Sequence, residues 1–535
     1  MIQTDVLIVG AGPVGLMLAN MLGSRGIGVT IVEALPALLD FPRGVGMDDE
    51  SLRAFQSLGL ADAVTPHTTP NHWMYFLTRS GRRFVSIEPR TDEFGWPRRN
   101  AFIQPIADAL LASSLDRFPS VDLRFGESFE SVAIDIAGVT VRTSATASSQ
   151  PRVYRAGYMV GCDGGSSAVR KALSIAFQGK THMNRWIVVD LKHDPLGTPG
   201  VRFHCVAPRP YVSIALPHGI RRLEFMLHPG EAPGDVISPE LLSSLMSLLV
   251  SDPTKIEAIR ARVYTHNGRL AQHFRRDRVL LAGDAAHIMP VWQGQGYNSG
   301  IRDAFNLGWK LAMVVRGAAS DALLDSYESE RREHARAMIA ISETAGKIFS
   351  PTRAWVTAAR DAITYALGAV PSVKRYFAEM RYKPIPRYRK GALHFGSGSL
   401  QKSPVGRMFI QPRVEAGGAP AMRLDDLIGP GFAILAWGTD PTILLSSHAR
   451  QILDRLGAKF FMAVPVAQMT YETGRNPDIV VLGDSQSRLK DWFDARDQSI
   501  VVLRPDRIVA AACQPSQLDT HVMALAQALA LKDLL

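Results

Sequence analysis

The sequence predicts an α/β protein: a Rossmann-like nucleotide-binding domain, a β-sheet inserted into it, and a small α/β domain at the C-terminal end. Three observations predict this. A glycine-rich turn, Gly10-Ala11-Gly12-Pro13-Val14-Gly15, joins an apolar strand to a helix near the start of the chain. From Arg185 to Val263 the texture changes to short runs of alternating polar and apolar residues, as in a sheet with one covered face. From about Arg407 strands and helices follow a new pattern, after the Gly/Ser-rich, linker-like stretch Tyr388–Ser403. With 535 residues the chain exceeds what one core serves, and two or three domains are expected.

Composition excludes several classes. The 60 Lys and Arg against 50 Asp and Glu give a net charge of +10, but the basic residues are scattered, so nucleic-acid binding is not expected. A mildly positive field suits anionic ligands such as a dinucleotide or a carboxylate. Cys162, Cys205 and Cys513 stand far apart, without a CxxC pair or a metal-ligand cluster; no metal is expected, and a reducing cytoplasm fits. No apolar run is long enough for a bilayer, and the N-terminus enters a strand almost at once, so neither a membrane span nor a leader is expected.

The first unit carries the strongest signal. Asp5–Val9 reads as a strand, Val14–Arg25 as a helix ended by Gly26, and Val29–Val32 as a second strand ending in Glu33. Gly10 permits a tight turn, Gly12 lets backbone approach a pyrophosphate, and Gly15 lets helix lie close to sheet. Glu33, 18 residues beyond Gly15, is spaced to bind ribose hydroxyls.

Further on, Arg43 reads as a ligand for a phosphate or ring, or as a surface arginine. Asp49–Leu58 is a helix, with Asp48 placed to cap it. Met74–Thr78 and Arg83–Ile87 form a hairpin around Ser80-Gly81. Gln104 stands just ahead of a helix, where its amide meets a cofactor or caps the helix. Val121–Phe125, Phe129–Ile134 and Val139–Thr143 are consecutive strands. A second glycine-rich turn, Gly161–Ser167, places Asp163 between strand and helix. In the inserted region Ile187–Leu191, Arg202–Val206, Tyr211–Leu216 and Arg222–Leu227 read as strands, with Tyr211, Ser213, His204 and Phe225 as candidates to roof a pocket.

The stretch Gly283–Gly300 follows the buried strand Arg278–Ala282 and leads into a helix over Ile301–Val315. Gly294 and Gly296 ahead of that helix leave backbone N–H groups and the positive dipole end free to stabilise an anion. Asp284 suits a sugar-like hydroxyl chain. A long helix follows from Asp321 to about Ile348. In the tail, Phe432–Trp437, Lys459–Val464, Ser499–Leu503 and Arg507–Ala511 read as strands, and Asp440–Leu456 and Ser516–Leu531 as helices.

Three motifs together, Gly10–Gly15 with Glu33, Cys162-Asp163-Gly164, and Gly283-Asp284 with Pro290 and Gly294–Gly296, resemble those of the class A flavoprotein aromatic hydroxylases. The likeness extends to Asp92–Pro105, Tyr264–Asn267 and Leu270–Gln272, and is closest to members acting on a phenolic carboxylate. The tail resembles a thioredoxin-like domain found in such hydroxylases, without the redox CxxC, which implies a packing or oligomerisation role.

The resemblance implies an FAD-dependent monooxygenase that uses NADH and O2 to hydroxylate a small phenolic carboxylate ortho to its hydroxyl, in aromatic catabolism, with NADH visiting transiently; a homo-oligomer is compatible with it. It assigns Gly10, Gly12, Pro13 and Gly15 to the FAD pyrophosphate and Glu33 to the ribose. Arg43 and Gln104 lie along the cofactor, and Asp163 lies near FAD and the NADH path. Gly283 and Asp284 go to the ribityl end, and Pro290, Gly294, Gln295 and Gly296 to the isoalloxazine. A base that deprotonates the phenol would help, and Asp48, His266 and Tyr211 are its candidates. Arg209, Arg222 and Arg262 are candidates for holding the substrate carboxylate. Two other readings stay open: a hydroxylase of another phenolic, polyketide or pyridine ring, and a non-catalytic flavin-binding sensor or scaffold.

The domain boundaries expected are an FAD-binding domain in three parts (1–73, 98–184 and 264–350, the last with the long helix), a hairpin of the substrate domain (74–97), a substrate-binding sheet (185–263), a helical segment and linker (351–404), and the thioredoxin-like domain (405–535).

Overall fold

The computed structural model describes residues 1–145, 148–253, 256–383, 387–396 and 401–532. Its centre is a parallel sheet in the order Val279–Leu281, Ser148–Gly161, Ile2–Val9, Val29–Glu33 and Val121–Phe125. The apolar runs of the inner strands are buried on both faces, as a parallel sheet covered by helices requires, whereas the edge strand Val121–Phe125 is half-exposed. The helix Pro13–Gly23 starts with proline in its first turn and packs against the 20-residue helix Gly296–Val315. That second helix begins five residues earlier than its apolar periodicity indicates. Asn298 explains the extension, because its amide donates to the Gly294 and Gly46 carbonyls at 2.9 Å each and ties the first turn down.

The inserted region forms an eight-stranded sheet. Its order is His287–Ile288, Ala258–Ala271, Phe177–Leu191, Arg221–Met226, Tyr211–Ala215, Val201–His204, Met74–Leu77 and Arg83–Ile87. The hairpin expected at 74–87 is therefore its far edge, joined in parallel to Val201–His204. The two longest strands, Phe177–Leu191 and Ala258–Ala271, run antiparallel over most of their length and connect it to the nucleotide domain. A three-stranded sheet, Gly46–Asp48, Arg99–Phe102 and Thr68–Pro70, lies between the two.

The tail has the strand order and directions of a thioredoxin core: Lys459–Pro465 parallel to Ala433–Trp437, then Ile500–Leu503 and Val509–Cys513 antiparallel. The sheet also gains Ile479–Asp484 and the hairpin Arg413–Ala416 with Ala419–Arg423, which the sequence reading missed. The helix expected over Asp440–Leu456 shortens to Ser447–Arg455, where Ser446 caps it. The tail is firmly docked. Trp309 meets Phe432 edge-on, and Arg53 holds Asp425 through two bonds of 2.6 and 2.8 Å. Arg504 reaches Glu330 of the long helix Asp325–Phe349, and Lys310 joins the same carboxylate at 2.8 Å. Burial opposes ionisation of Glu330, but Arg504 and Lys310 bring its pKa down to about 2. Residues 397–400 of the linker-like stretch lie outside the described residues. The rest of it is held: Tyr388 and Ala392 are buried, and the Ala392 amide donates to Glu330.

Candidate active site

Backbone builds one side of the site. A cavity of about 430 Å³ runs along the carboxyl ends of the parallel strands. Gly10, Gly12, Pro13, Glu33, Arg43, Gln104 and Asp163 all line it, so residues spread over 150 positions of the chain converge on one groove. A Cβ on Gly15 would lie 2.0 Å from the Gly10 carbonyl oxygen, and one on Gly10 would lie 2.5 Å from that of Cys162. A Cβ on Gly12 would meet nothing within 4 Å, so the space over the turn is open to a ligand. Glu33 accepts the Ala11 and Leu35 amides at 2.8 and 2.9 Å, which fixes its carboxylate beside the glycine turn in the cavity wall. Asp163 braces its own turn by accepting from Ser167 Oγ and the Val169 amide.

Gln104 is chiefly a brace. Its carbonyl accepts the Gly44 and Arg43 amides at 2.6 and 3.2 Å, and its amide donates to Asp108 at 3.0 Å. Asp108 lines the same cavity with a buried Oδ1 that has no partner, and burial pushes its pKa up to about 7. A protonated carboxyl there would donate to a polar ligand. The sequence reading missed Asp108, although it lies one helical turn beyond Gln104. Such a groove, with an open glycine turn, a carboxylate beside it and an unpartnered buried acid, fits a dinucleotide such as FAD.

At the other end, the turn Gly283–Ala285 is fixed from behind. Asp303 accepts the Gly283 amide at 2.9 Å, His287 Nε2 at 2.7 Å and Arg331 Nε at 2.7 Å. Burial opposes its ionisation, but His287 and Arg331 hold its pKa below the usual carboxylate range. Asp284 itself is exposed to solvent and outside the cavity, and the protein packed around it raises its pKa. The Pro290 carbonyl accepts from buried Ser342 Oγ, and Gly294 takes a left-handed φ of +60° before the helix begins. Gln295 is buried with its Oε1 unpartnered, and Gly296 starts the helix. A helix start leaves first-turn amides without intrahelical partners, which suits an anion.

Side chains build the opposite side, and the pleat decides which ones. Trp186, Phe203, Val212, Ile214 and Met226 share the inner face of the eight-stranded sheet in a cluster with Trp292. Tyr211 and Phe225 belong to the outer cluster, with Leu223 and Leu245. Tyr211 is thus corrected as a base candidate: it stacks on His204 at 4.3 Å on the face turned away from the nucleotide domain. Ser213, His204 and Phe225 follow the same alternation and lie on that outer face too.

His266 lies on the inner side, stacked on Trp186 at 5.6 Å and edge-on to Trp292 at 5.2 Å. Its Nε2 is buried without a partner, and burial pulls its pKa down to about 3, so the ring is neutral near pH 7. Beside it, Tyr264 donates to Glu224 at 2.9 Å. Burial raises the pKa of both groups. Neither residue was singled out as a site candidate from the sequence.

Asp48 caps its helix by accepting the Ser51 amide at 3.0 Å. Its other oxygen pairs with Arg302 and, at 2.9 Å, with Lys383. Burial opposes its ionisation, but those two cations hold the carboxyl far below its ordinary pKa. Among the carboxylate-anchor candidates, Arg209 is bound to both oxygens of Glu231 and Arg222 to both of Asp190. Arg222 and Arg260 also donate to the Pro42 carbonyl, latching the Arg43 loop to the sheet above it. Arg262 lies over Phe41.

A dinucleotide groove together with an aromatic cluster on the inner face of a second sheet fits a flavoprotein oxygenase of the two-domain kind. The chain belongs to the class A FAD-binding hydroxylases: the model of the FAD binding domain family matches residues 3–342, and the HcaD C-terminal domain matches 406–528. It is an FAD-dependent monooxygenase. Among curated relatives, a 3-(3-hydroxyphenyl)propionate/3-hydroxycinnamic acid hydroxylase of Paraburkholderia xenovorans is 51% identical, over 99% of this chain and 92% of that protein. The one from Escherichia coli K12 is also 51% identical, over 99% and 95%. Among solved structures, the flavin-dependent monooxygenase PieE with FAD and substrate aligns over 99% of both chains at TM-score 0.84 and 23% identity. Aklavinone-11 hydroxylase with FAD and aklavinone aligns over 98% of this chain and 99% of that one, at TM-score 0.77 and 24% identity. These two bear on the fold alone. Among the described residues no helix is long and apolar enough to cross a membrane.

Proposed function

We propose that the protein hydroxylates 3-(3-hydroxyphenyl)propionate, and 3-hydroxycinnamate, ortho to the phenol, giving the 2,3-dihydroxy product at the expense of NADH and O2. The observation that carries this reading is the 51–52% identity to hydroxylases of that name over nearly the whole chain. When bound, FAD supplies the reduction and oxygen-activating chemistry. The chain's residues orient, enclose and deprotonate. Gly10, Gly12, Pro13, Gly15, Glu33, Arg43, Gln104 and Asp163 hold the nucleotide half. Gly283, Asp284, Pro290, Gly294, Gln295 and Gly296 border the ring half.

Trp186, Trp292 and His266 exclude water from the aromatic ring. His266 is the base candidate on the inner face: its ring is neutral with Nε2 unpartnered and accepts a hydrogen bond from the phenol, while its lowered pKa makes it a weak base that acts only in concert with attack on the ring. The paired Asp48 instead fixes the loop and helix start that flank the ring. Three free thiols accord with a cytoplasmic setting.

The test is NADH consumption by FAD-loaded protein with and without 3-(3-hydroxyphenyl)propionate, with product and peroxide assayed together. Stimulation with stoichiometric 2,3-dihydroxy product is expected. Stimulation that yields peroxide alone would place the true substrate elsewhere among phenolics.

A further inference from the structure

Arg99 is a buried cation with no salt bridge among the described residues; Tyr382 and Asp48 are the groups whose charge favours it. It is 7% exposed, and its Nε donates to the His72 carbonyl at 3.0 Å. Its two terminal nitrogens make no hydrogen bond or ion pair among the described residues. Asp48, directly across the strand pair, spends its carboxylate on Arg302 and Lys383. A buried charge short of hydrogen-bonded partners is costly, and burial lowers the Arg99 pKa to about 10 against the favourable influence of Tyr382 and Asp48. A guanidinium kept in such a place is explained by an anion that arrives from outside.

Geometry shows where that anion would sit. Arg99 and Ala101 share one face of their strand, and Ala101 packs in the same cluster as Trp186 and Trp292. Both terminal nitrogens of Arg99 lie 3.9 Å from where a Cβ on Gly294 would stand, and Nη2 lies 3.7 Å from one on Gly46. These two positions carry hydrogen only, so the guanidinium packs directly against the Gly46 and Gly294 backbone, with its two terminal nitrogens left without a bonded partner among the described residues. Arg209 and Arg222 are each committed to an acid of their own.

Resting on the substrate class proposed above, we propose that Arg99 binds the carboxylate of the arylpropionate side chain and so selects acids over neutral phenols. A planar guanidinium with two free N–H edges matches a carboxylate in bidentate fashion. The anchor sits on a strand of the small sheet rather than on the roof, so it fixes the ring's reach toward His266 from the opposite side.

The experiment compares FAD-loaded wild type with Arg99→Gln and Arg99→Lys. It measures the dissociation constants of 3-(3-hydroxyphenyl)propionate and of its primary amide by calorimetry, with FAD content and the flavin absorbance spectrum recorded beside them. The expected result is an acid affinity reduced about 30-fold in Arg99→Gln, partial rescue in Arg99→Lys, unchanged amide affinity, and unchanged flavin content and spectrum. Wild-type acid affinity retained in Arg99→Gln would overturn the anchor and leave the substrate reading standing. Equal loss of acid and amide with an altered flavin spectrum would overturn it in favour of a role at the cofactor ring. Failure of the wild type to bind the acid more tightly than the amide would overturn both.

Discussion

The groove and the roof are built by opposite means. The groove for FAD is made of backbone: three glycines, a helix start and turns whose side chains mostly brace the main chain from behind. Glu33, Asp163, Gln104 and Asp303 each accept at least one backbone amide. The roof is made of side chains on an antiparallel sheet, and its meaning depends on which face each one takes. A backbone site tolerates little at its glycines and is spelled out in short local motifs. A side-chain site tolerates much on its outer face and nothing in its register.

The largest effect expected follows from that contrast. Gly15→Val would force atoms into the Gly10 carbonyl, already 2.0 Å from an added Cβ. FAD content after purification is expected to fall more than about tenfold, because overlap with backbone cannot relax by a side-chain rotation. Normal FAD content in that variant would break the account of the groove.

The same contrast explains what was legible in the sequence. The glycine fingerprint with Glu33 and the turn at Asp163 are short local motifs that carry their own geometry, so the groove they line could be read from them, whereas Gly283 and Asp284 do not line it. The roof could not. Its strands were visible, but alternation gives two faces and does not say which one meets the nucleotide domain. Tyr211 and Val212 differ by one position, and only long-range pairing with Val201–His204 and Arg221–Met226 turns Val212 inward. The Tyr264–Glu224 pair and the Asp48–Arg302–Lys383 network are contacts across 40 to 335 positions, and no local pattern announces them. Arg99 was passed over for the same reason, since its lack of a partner is a property of the folded surroundings. The tail's α/β class was readable from its strands, whereas Ile479–Asp484 was passed over although Ile479–Leu482 is a short apolar run.

On the roof, two substitutions sharpen the comparison. His266→Asn, on the inner face, is expected to lower kcat about 100-fold for the phenolic acid. Tyr211→Phe, on the outer face, is expected to change it less than about twofold. Steady-state kinetics on both variants checks this, and the reverse order would mean the face assignment is inverted.

A smaller effect concerns pH. Burial holds His72 and His266 at pKa values of about 3, well under the 6.5 of the unfolded chain. Between those values the unfolded state binds more protons than the folded state, so stability rises with pH across that window and falls as pH drops below 6.5. Each histidine contributes up to about 1.4 kcal/mol per pH unit there. Urea unfolding at pH 7 and pH 5 is expected to show the loss, and His266→Asn to reduce its slope. A slope unchanged by that substitution would mean His266 is already solvated in the folded state.

The most direct measurement is a crystal structure of the FAD-loaded protein with 3-(3-hydroxyphenyl)propionate. The account predicts the phenol ring against Trp186, Trp292 and His266 on the inner face, with the carboxylate reaching Arg99. Ligand density on the outer face, beside Tyr211 and His204, would contradict it.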